Sequence, residues 1–135
     1  MNIYITKNME STLDGYDTIP LLYGNLNLEH IPQHSCANIL VEDALDSTND
    51  PQATLVNIIS KLRKAGNLSI QGTDFDTMCR QYLNKNIASQ DINTYVAEKN
   101  SICSFGDIQR TISQNNIKII SAGLNGVKFD IRATR

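Results

Sequence analysis

The stretch from Cys36 to Gly72 constrains the fold more than any other part of this chain. In "CANILVEDAL", Ile39, Leu40 and Val41 form an apolar run too short for a helix of its own, which is how a buried parallel strand reads. "STNDPQATLVNIISKLRKAG" follows with helix punctuation. Asp50 suits the N-cap and Pro51 the first helical position. Leu55, Ile58, Ile59 and Leu62 recur at helical spacing. Lys61, Arg63 and Lys64 stand where cations complement a helix dipole, and Gly66 suits the left-handed residue that closes a helix. "NLSIQG" then alternates Leu68 and Ile70 as the next strand. Strand, helix and strand in this order predict an α/β domain with parallel strands.

The rest of the chain extends that pattern. "TDFDTMCRQYLNKN" predicts a short helix with Phe75, Met78, Cys79, Tyr82 and Leu83 on one side. "DINTYVAEKN" predicts another helical turn or two. "SFGDIQRTISQNN" predicts a third helix, with Ser104 as cap and Ile108 and Ile112 on its inner face. "IKIISAGLNGVKFDIRATR" reads as two alternating strands about an Asn125-Gly126 turn, a strong hairpin signal. Upstream, "NIYITK" alternates Ile3 and Ile5 as a strand. "STLDGYDTIP" reads as a loop, and Leu26 and Leu28 alternate before Pro32 halts regular structure. No internal repeat or low-complexity segment is visible. The whole chain, residues 1–135, reads as one domain: a divergent segment 1–36 and a strand–helix core 37–135.

Composition narrows the function classes. A net charge of −2 and a pI near 5.6 argue against a protein that coats nucleic acid. No apolar run approaches the roughly 20 residues that span a bilayer. The first residues lack the basic-then-apolar order of a signal peptide, so a cytoplasmic location is expected, or a virion if the protein is viral. Cys36, Cys79 and Cys103 are an odd count without regular spacing, which predicts free thiols rather than a disulfide framework.

The order of elements resembles the C-terminal half of a class I S-adenosylmethionine-dependent methyltransferase. The pieces that carry the resemblance are "ANILVED", a buried strand ending in acids; "ISKLRKAGNLSI", a helix and glycine turn into a strand; and "DIQRTISQNNIKIISAGLNGVKFDIRA", a last helix leading into an edge hairpin. It covers roughly Leu26 to Arg132, with one glycine where the family often has two. It implies a partial Rossmann-like sheet of parallel strands with a C-terminal antiparallel hairpin and flanking helices. The family's cofactor machinery needs a first strand running into a glycine-rich loop, whose glycines let backbone N–H groups approach the ligand. Only Gly15 and Gly24 precede residue 37, and they are isolated. The resemblance therefore implies a chain without the cofactor half, taking S-adenosylmethionine only if a partner completes the site. The family order also sets the fourth strand between the first and the fifth. Ala37, Asn38, Ile39, Leu40 and Val41 would then form an interaction edge, covered either by "NIYITK" or by a partner chain, because a bare apolar edge invites aggregation.

Candidate site residues are few. Glu42, Asp43, Asp74 and Asp76 follow predicted strand ends on the same side of the sheet and would rim any pocket together. Each also has an ordinary role: Asp74 as a helix cap, and Glu42 and Asp43 as a solvated loop. His30, His34 and Cys36 are zinc-ligand types, but Pro32 breaks their spacing and no fourth ligand lies nearby, so no metal is expected. Lys61, Arg63 and Lys64 need only a helix dipole, and Tyr82 and Tyr95 read as core or rim. The expectation is a non-catalytic methyltransferase-like domain acting as a binding or assembly module, with a protein partner or further copies of itself. A viral or phage structural or accessory protein would suit such economy. The alternatives are a methyltransferase part whose cofactor half comes from another chain, and an unrelated small enzyme using Asp74, Asp76, Glu42 or Cys79.

Overall fold

The computed structural model describes residues 1–8 and 10–135. Among these residues one sheet of six strands and four helices run in the order β1 (Asn2–Thr6), β2 (Asp17–Pro20), β3 (Cys36–Glu42), α1 (Pro51–Lys61), β4 (Leu62–Thr73), α2 (Phe75–Leu83), α3 (Ser89–Ala97), α4 (Phe105–Gln114), β5 (Lys118–Asn125) and β6 (Lys128–Thr134). The strand order is β2-β1-β3-β4-β6-β5. The first four of these are mutually parallel, and β6 pairs antiparallel with both β4 and β5. The mixed α/β sheet expected from residues 36–72 and from the terminal hairpin is present.

The N-terminal strand settles the question of the open edge. β1 lies in the vacant place, with Ile3 opposite Ile39 and Ile5 opposite Val41. Ala37 to Val41 is therefore an interior strand, paired with β1 on one side and β4 on the other. The expected interaction edge is filled from within the chain. Residues 17–20, expected as loop, form β2 instead. Pro20 is compatible with that because β2 is an edge strand and a missing N–H there breaks no ladder. The open edges of the sheet are β2 and β5.

The two sheet faces differ in chemistry. Ile3, Ile5, Ile19, Ile39, Val41, Leu68, Ile70, Phe129, Ile131 and Ala133 point to one face, where they join Leu55, Ile58 and Ile59 of α1 and Ile108 and Ile112 of α4 in a single core. Leu28 and Ile31 reach that core from the loop before β3, so the Leu26–Leu28 alternation is not a strand. The opposite face is polar. Asn2, Asn38 and Asn67 lie side by side across β1, β3 and β4. The Asn67 amide donates to Asn38 Oδ1 at 3.2 Å, and the Asn38 amide donates to Asn2 Oδ1 at 2.9 Å.

Local punctuation departs from the sequence rules in three places. α1 is capped by Asp50, whose carboxylate accepts from the Ala53 N–H, with Pro51 at its start. It ends at Lys61, however, and the left-handed residue is Ala65, not Gly66. Arg63 and Lys64 consequently lie on β4, and only Lys61 of the basic cluster is on the helix. The reason is tertiary: the Arg135 guanidinium donates to the Ile59 and Leu62 carbonyls at 3.1 and 3.2 Å, closing the helix end from the far end of the chain. At α4 the Ser104 side chain does not cap; it donates to Asp76 instead. The hairpin turn is Gly126-Val127, one residue later than expected, with Gly126 at φ 63°. Arg135→Ala removes the α1 closure and should cost about 1.5 kcal/mol, the worth of part-buried charge-assisted bonds, measurable as a lower urea midpoint with an unchanged slope.

Candidate functional site

Chain order reverses between β1 and β3, since β2 lies beyond β1 while β4 lies beyond β3. In open α/β sheets the crevice outside the carboxyl ends of such a strand pair is where ligands bind. Here those ends are Thr6 and Glu42, which are in register. The Tyr4 hydroxyl donates to Glu42 Oε2, and that bond raises the tyrosine's pKa. Asp43 has a left-handed backbone at φ 48°, donates its N–H to the Gln71 carbonyl, and pairs with Lys128 at 3.1 Å.

Just past the end of β3 the chain packs against its own residues 95–101. Asp46, in a single 3-10 turn after β3, is only 3% exposed. Its Oδ2 accepts from the Tyr95 hydroxyl at 2.8 Å. Its Oδ1 lies 3.3 Å from the buried Lys99 ammonium, an ion pair without hydrogen-bond alignment. Its backbone carbonyl accepts the N–H groups of Asn100 and Ser101. Lys99 also sits over the Tyr95 ring, 5.5 Å from its centre. Burial, reinforced by Asp46, holds the Tyr95 hydroxyl firmly protonated. Burial likewise pushes the Cys103 thiol up to about 12, so it is no nucleophile at neutral pH. Gly24 closes over the same corner at φ 77°, where a Cβ would stand 2.5 Å from Asn49 Oδ1 and 2.6 Å from Asn100 Nδ2.

Three backbone donors of the loop after β1 are satisfied within the loop. The Asn8 N–H goes to Thr6 Oγ1, the Glu10 N–H to Asn8 Oδ1, and the Ser11 N–H to the Asn8 carbonyl. These are the backbone groups that a glycine-rich loop would present to a ligand.

The four carboxylates expected to rim one pocket are divided between two hollows, with Asp74 and Asp76 together. Asp43 lines a hollow of about 650 Å³ with Gln71, Gly123, Lys128 and Asp130. Asp74 and Asp76 line another, of about 410 Å³, with Arg80, Phe105 and Arg110. Asp74 is a cap, as its position suggested, and more than that: Oδ2 accepts from the Thr77 N–H and hydroxyl, while Oδ1 accepts from the Phe105 N–H at the start of α4. Burial opposes its charge, but the bonds from Thr77 and Phe105 outweigh burial and hold its pKa below the ordinary aspartate value. His30 and His34 are exposed while Cys36 is fully buried, and among the described residues no three metal-ligand side chains converge. Tyr82 and Leu83 are exposed rather than packed on α2's inner side. Asp46 and Lys99 carried no sequence signal, because their contacts join segments far apart in the chain.

No family model and no curated protein matches this sequence. Solved structures do. A Mesorhizobium loti S-adenosylmethionine-dependent methyltransferase superposes with a TM-score of 0.63 at 10% identity, over 99% of this chain and 80% of the other. A Thermotoga maritima S-adenosylmethionine-dependent methyltransferase, described as a possible histamine N-methyltransferase, gives 0.60 at 16% identity, over 89% and 64%. The fold is methyltransferase-like. A chain from the complex of the Haloferax volcanii Trm112 methyltransferase activator with a methyltransferase gives 0.60 at 8% identity, over 92% and 63%. The present chain thus spans less than two thirds of two of these methyltransferase-fold relatives. The methyltransferase-like sheet places β3 between β1 and β4, with the hairpin at the far edge, as the resemblance implied. Among the described residues no helix is long and apolar enough to cross a membrane.

Proposed function

We propose that this chain is a non-catalytic methyltransferase-like domain that serves as a binding or assembly module. The observation that carries the reading is the self-packing just past the end of β3. There Asp46, Lys99 and Tyr95 are joined by their own ion pair and hydrogen bond. The β1 loop supports the same reading, since the N–H groups of Asn8, Glu10 and Ser11 go to Thr6 and Asn8. Assembly would use β5, the edge strand that exposes Ile120 and Leu124, pairing with the same strand of a second copy.

The test is calorimetric titration with S-adenosylmethionine and S-adenosylhomocysteine, with light scattering on the same sample. The expected result is no saturable heat and a mass above the 15.0 kDa of one chain. Ile120→Lys should return the mass to that of one chain. Micromolar cofactor binding by the chain alone would overturn the reading. A second reading, in which a partner chain completes a cofactor site, is favoured by the activator complex among the structural relatives. It predicts cofactor heat only after that partner is added.

A further inference from the structure

Parallel strands are as a rule covered on both faces, and four strands of this sheet are parallel. The helices that join the core, α1 and α4, lie on one face. On the other face is a hollow of about 410 Å³, lined by strand residues and Tyr16. Its floor is a row in which Leu40, Ser69 and Arg132 stand abreast on β3, β4 and β6. The next row, toward the amino end of β3, is Asn38 beside Asn67. Two walls rise from this floor. Ile120 is the extra residue of a bulge in β5, where Ile119 lies opposite Ala133 and Ser121 opposite Arg132. It is 63% exposed and lines the hollow. Tyr16 stands on the β1 side, after a turn tied to the asparagine ladder: the Asn2 amide donates to the Gly15 carbonyl at 3.2 Å.

The charge in this hollow is unspent. Arg132 is exposed and has no carboxylate within ion-pair distance among the described residues. Even Asp130, two residues away on the same face, is beyond that distance, and its buried Oδ1 has no hydrogen-bond partner. We propose that the hollow binds a small monocarboxylate with an aromatic body. The Arg132 guanidinium takes the carboxylate with two parallel N–H donors, and the Ser69 hydroxyl is the next donor in the row. The ring lies on Leu40 between Tyr16 and Ile120. Apolar walls with a few placed polar groups, in a volume of roughly 300–1,000 Å³, are the usual make-up of a small-ligand site. The Asp130 charge near Arg132 repels a second negative group and so favours a monoanion over a dianion. The hollow lies toward the amino end of β3, away from the crevice at the strands' carboxyl ends, so it stands independently of what that crevice holds.

The experiment is amide NMR of the full chain titrated with phenylacetate, against phenylacetamide and acetate at matched ionic strength. The expected result is saturable shifts centred on Tyr16, Leu40, Ser69 and Arg132 with phenylacetate. The amide, which lacks the charge, and acetate, which lacks the ring, should each bind about tenfold more weakly or worse. Arg132→Met should weaken phenylacetate binding about tenfold or more, as loss of a charge-assisted donor does. Arg132→Lys keeps the charge without the planar fork and should fall between. Both should leave the melting temperature unchanged, since Arg132 is exposed. Arg132 is also one strand in from the edge, so light scattering should give these variants the wild-type mass whether or not β5 pairs with a second copy. Ser69→Leu fills the floor and should abolish binding. No saturable shift, equal binding of phenylacetamide, or an affinity unaltered in Arg132→Met overturns the site.

Discussion

Asp74→Ala is expected to lower the unfolding free energy by about 3 kcal/mol, the sum of two lost helix caps and a stranded buried hydroxyl. For a chain of this size that is a fall of about 10 °C in melting temperature. The magnitude follows from geometry. Asp74 is 3% exposed and serves two helices at once, α2 through Thr77 and α4 through Phe105. The Thr77 hydroxyl donates to the same carboxylate and in turn accepts from Arg80 at 3.1 Å. Removing the carboxylate leaves N–H groups at both helix starts without a partner, next to one another in the fold. Asp74→Asn should lose less, because an amide oxygen still accepts from one of them. The sign of the pH dependence is set by the depressed pKa. The contribution is fully present above the ordinary aspartate value of 3.8 and disappears as pH falls through the lower folded value. Wild type and Asp74→Asn should therefore differ most above about pH 5 and converge in acid, measured by thermal melts across that range. A constant difference down to complete protonation would show that the carboxylate's charge is not what holds the two helices.

Asp46→Ala should have a comparable total cost, about 3 kcal/mol, but a different distribution, because it strands the Lys99 charge in a largely buried position. Asp46 holds Tyr95, Lys99, Asn100 and Ser101, while α3 itself has no buried residue. The expected signature is local: amides of residues 84–103 lose protection from exchange before those of β3 and β4 do. The companion test is a double variant. Lys99→Met removes the charge that Asp46→Ala would strand, so the pair of changes together should cost clearly less than their sum. Additive costs would mean that the ion pair contributes nothing and that the Tyr95 bond and the backbone bonds to the Asp46 carbonyl hold the segment.

Sequence reading succeeds where the determinants are local. Asp50, Pro51 and the Leu55–Ile59 spacing specify α1 within one stretch, and the Thr77 half of the Asp74 cap follows from a three-residue spacing. The rest depends on contacts the sequence does not display. The Phe105 half of the same cap joins residues on opposite sides of α3. Gly66 is the obvious helix terminator, yet Arg135 closes α1 earlier, and Ala65 takes the left-handed turn. Pro20 and Gly15 advertise a loop, but an edge strand tolerates proline, so β2 was hidden by its own punctuation. The carboxylates near strand ends were visible as residue types, whereas the one that organises the crevice, Asp46, is distinguished only by burial and by partners that lie beyond residue 94.

The row of asparagines on the polar face has a consequence for how the sheet finds its alignment. Apolar alternation alone forbids a strand from sliding by one residue, because every side chain would change faces. It is blind to a slide of two, which restores the in-and-out pattern. In this sheet a slide of two would set Asn38 against Tyr4 on one side or Ser69 on the other, and the chain of amide bonds from Asn67 through Asn38 to Asn2 would be broken at its middle. The ladder thus works as a vernier on the solvent side, distinguishing alignments that the core cannot tell apart.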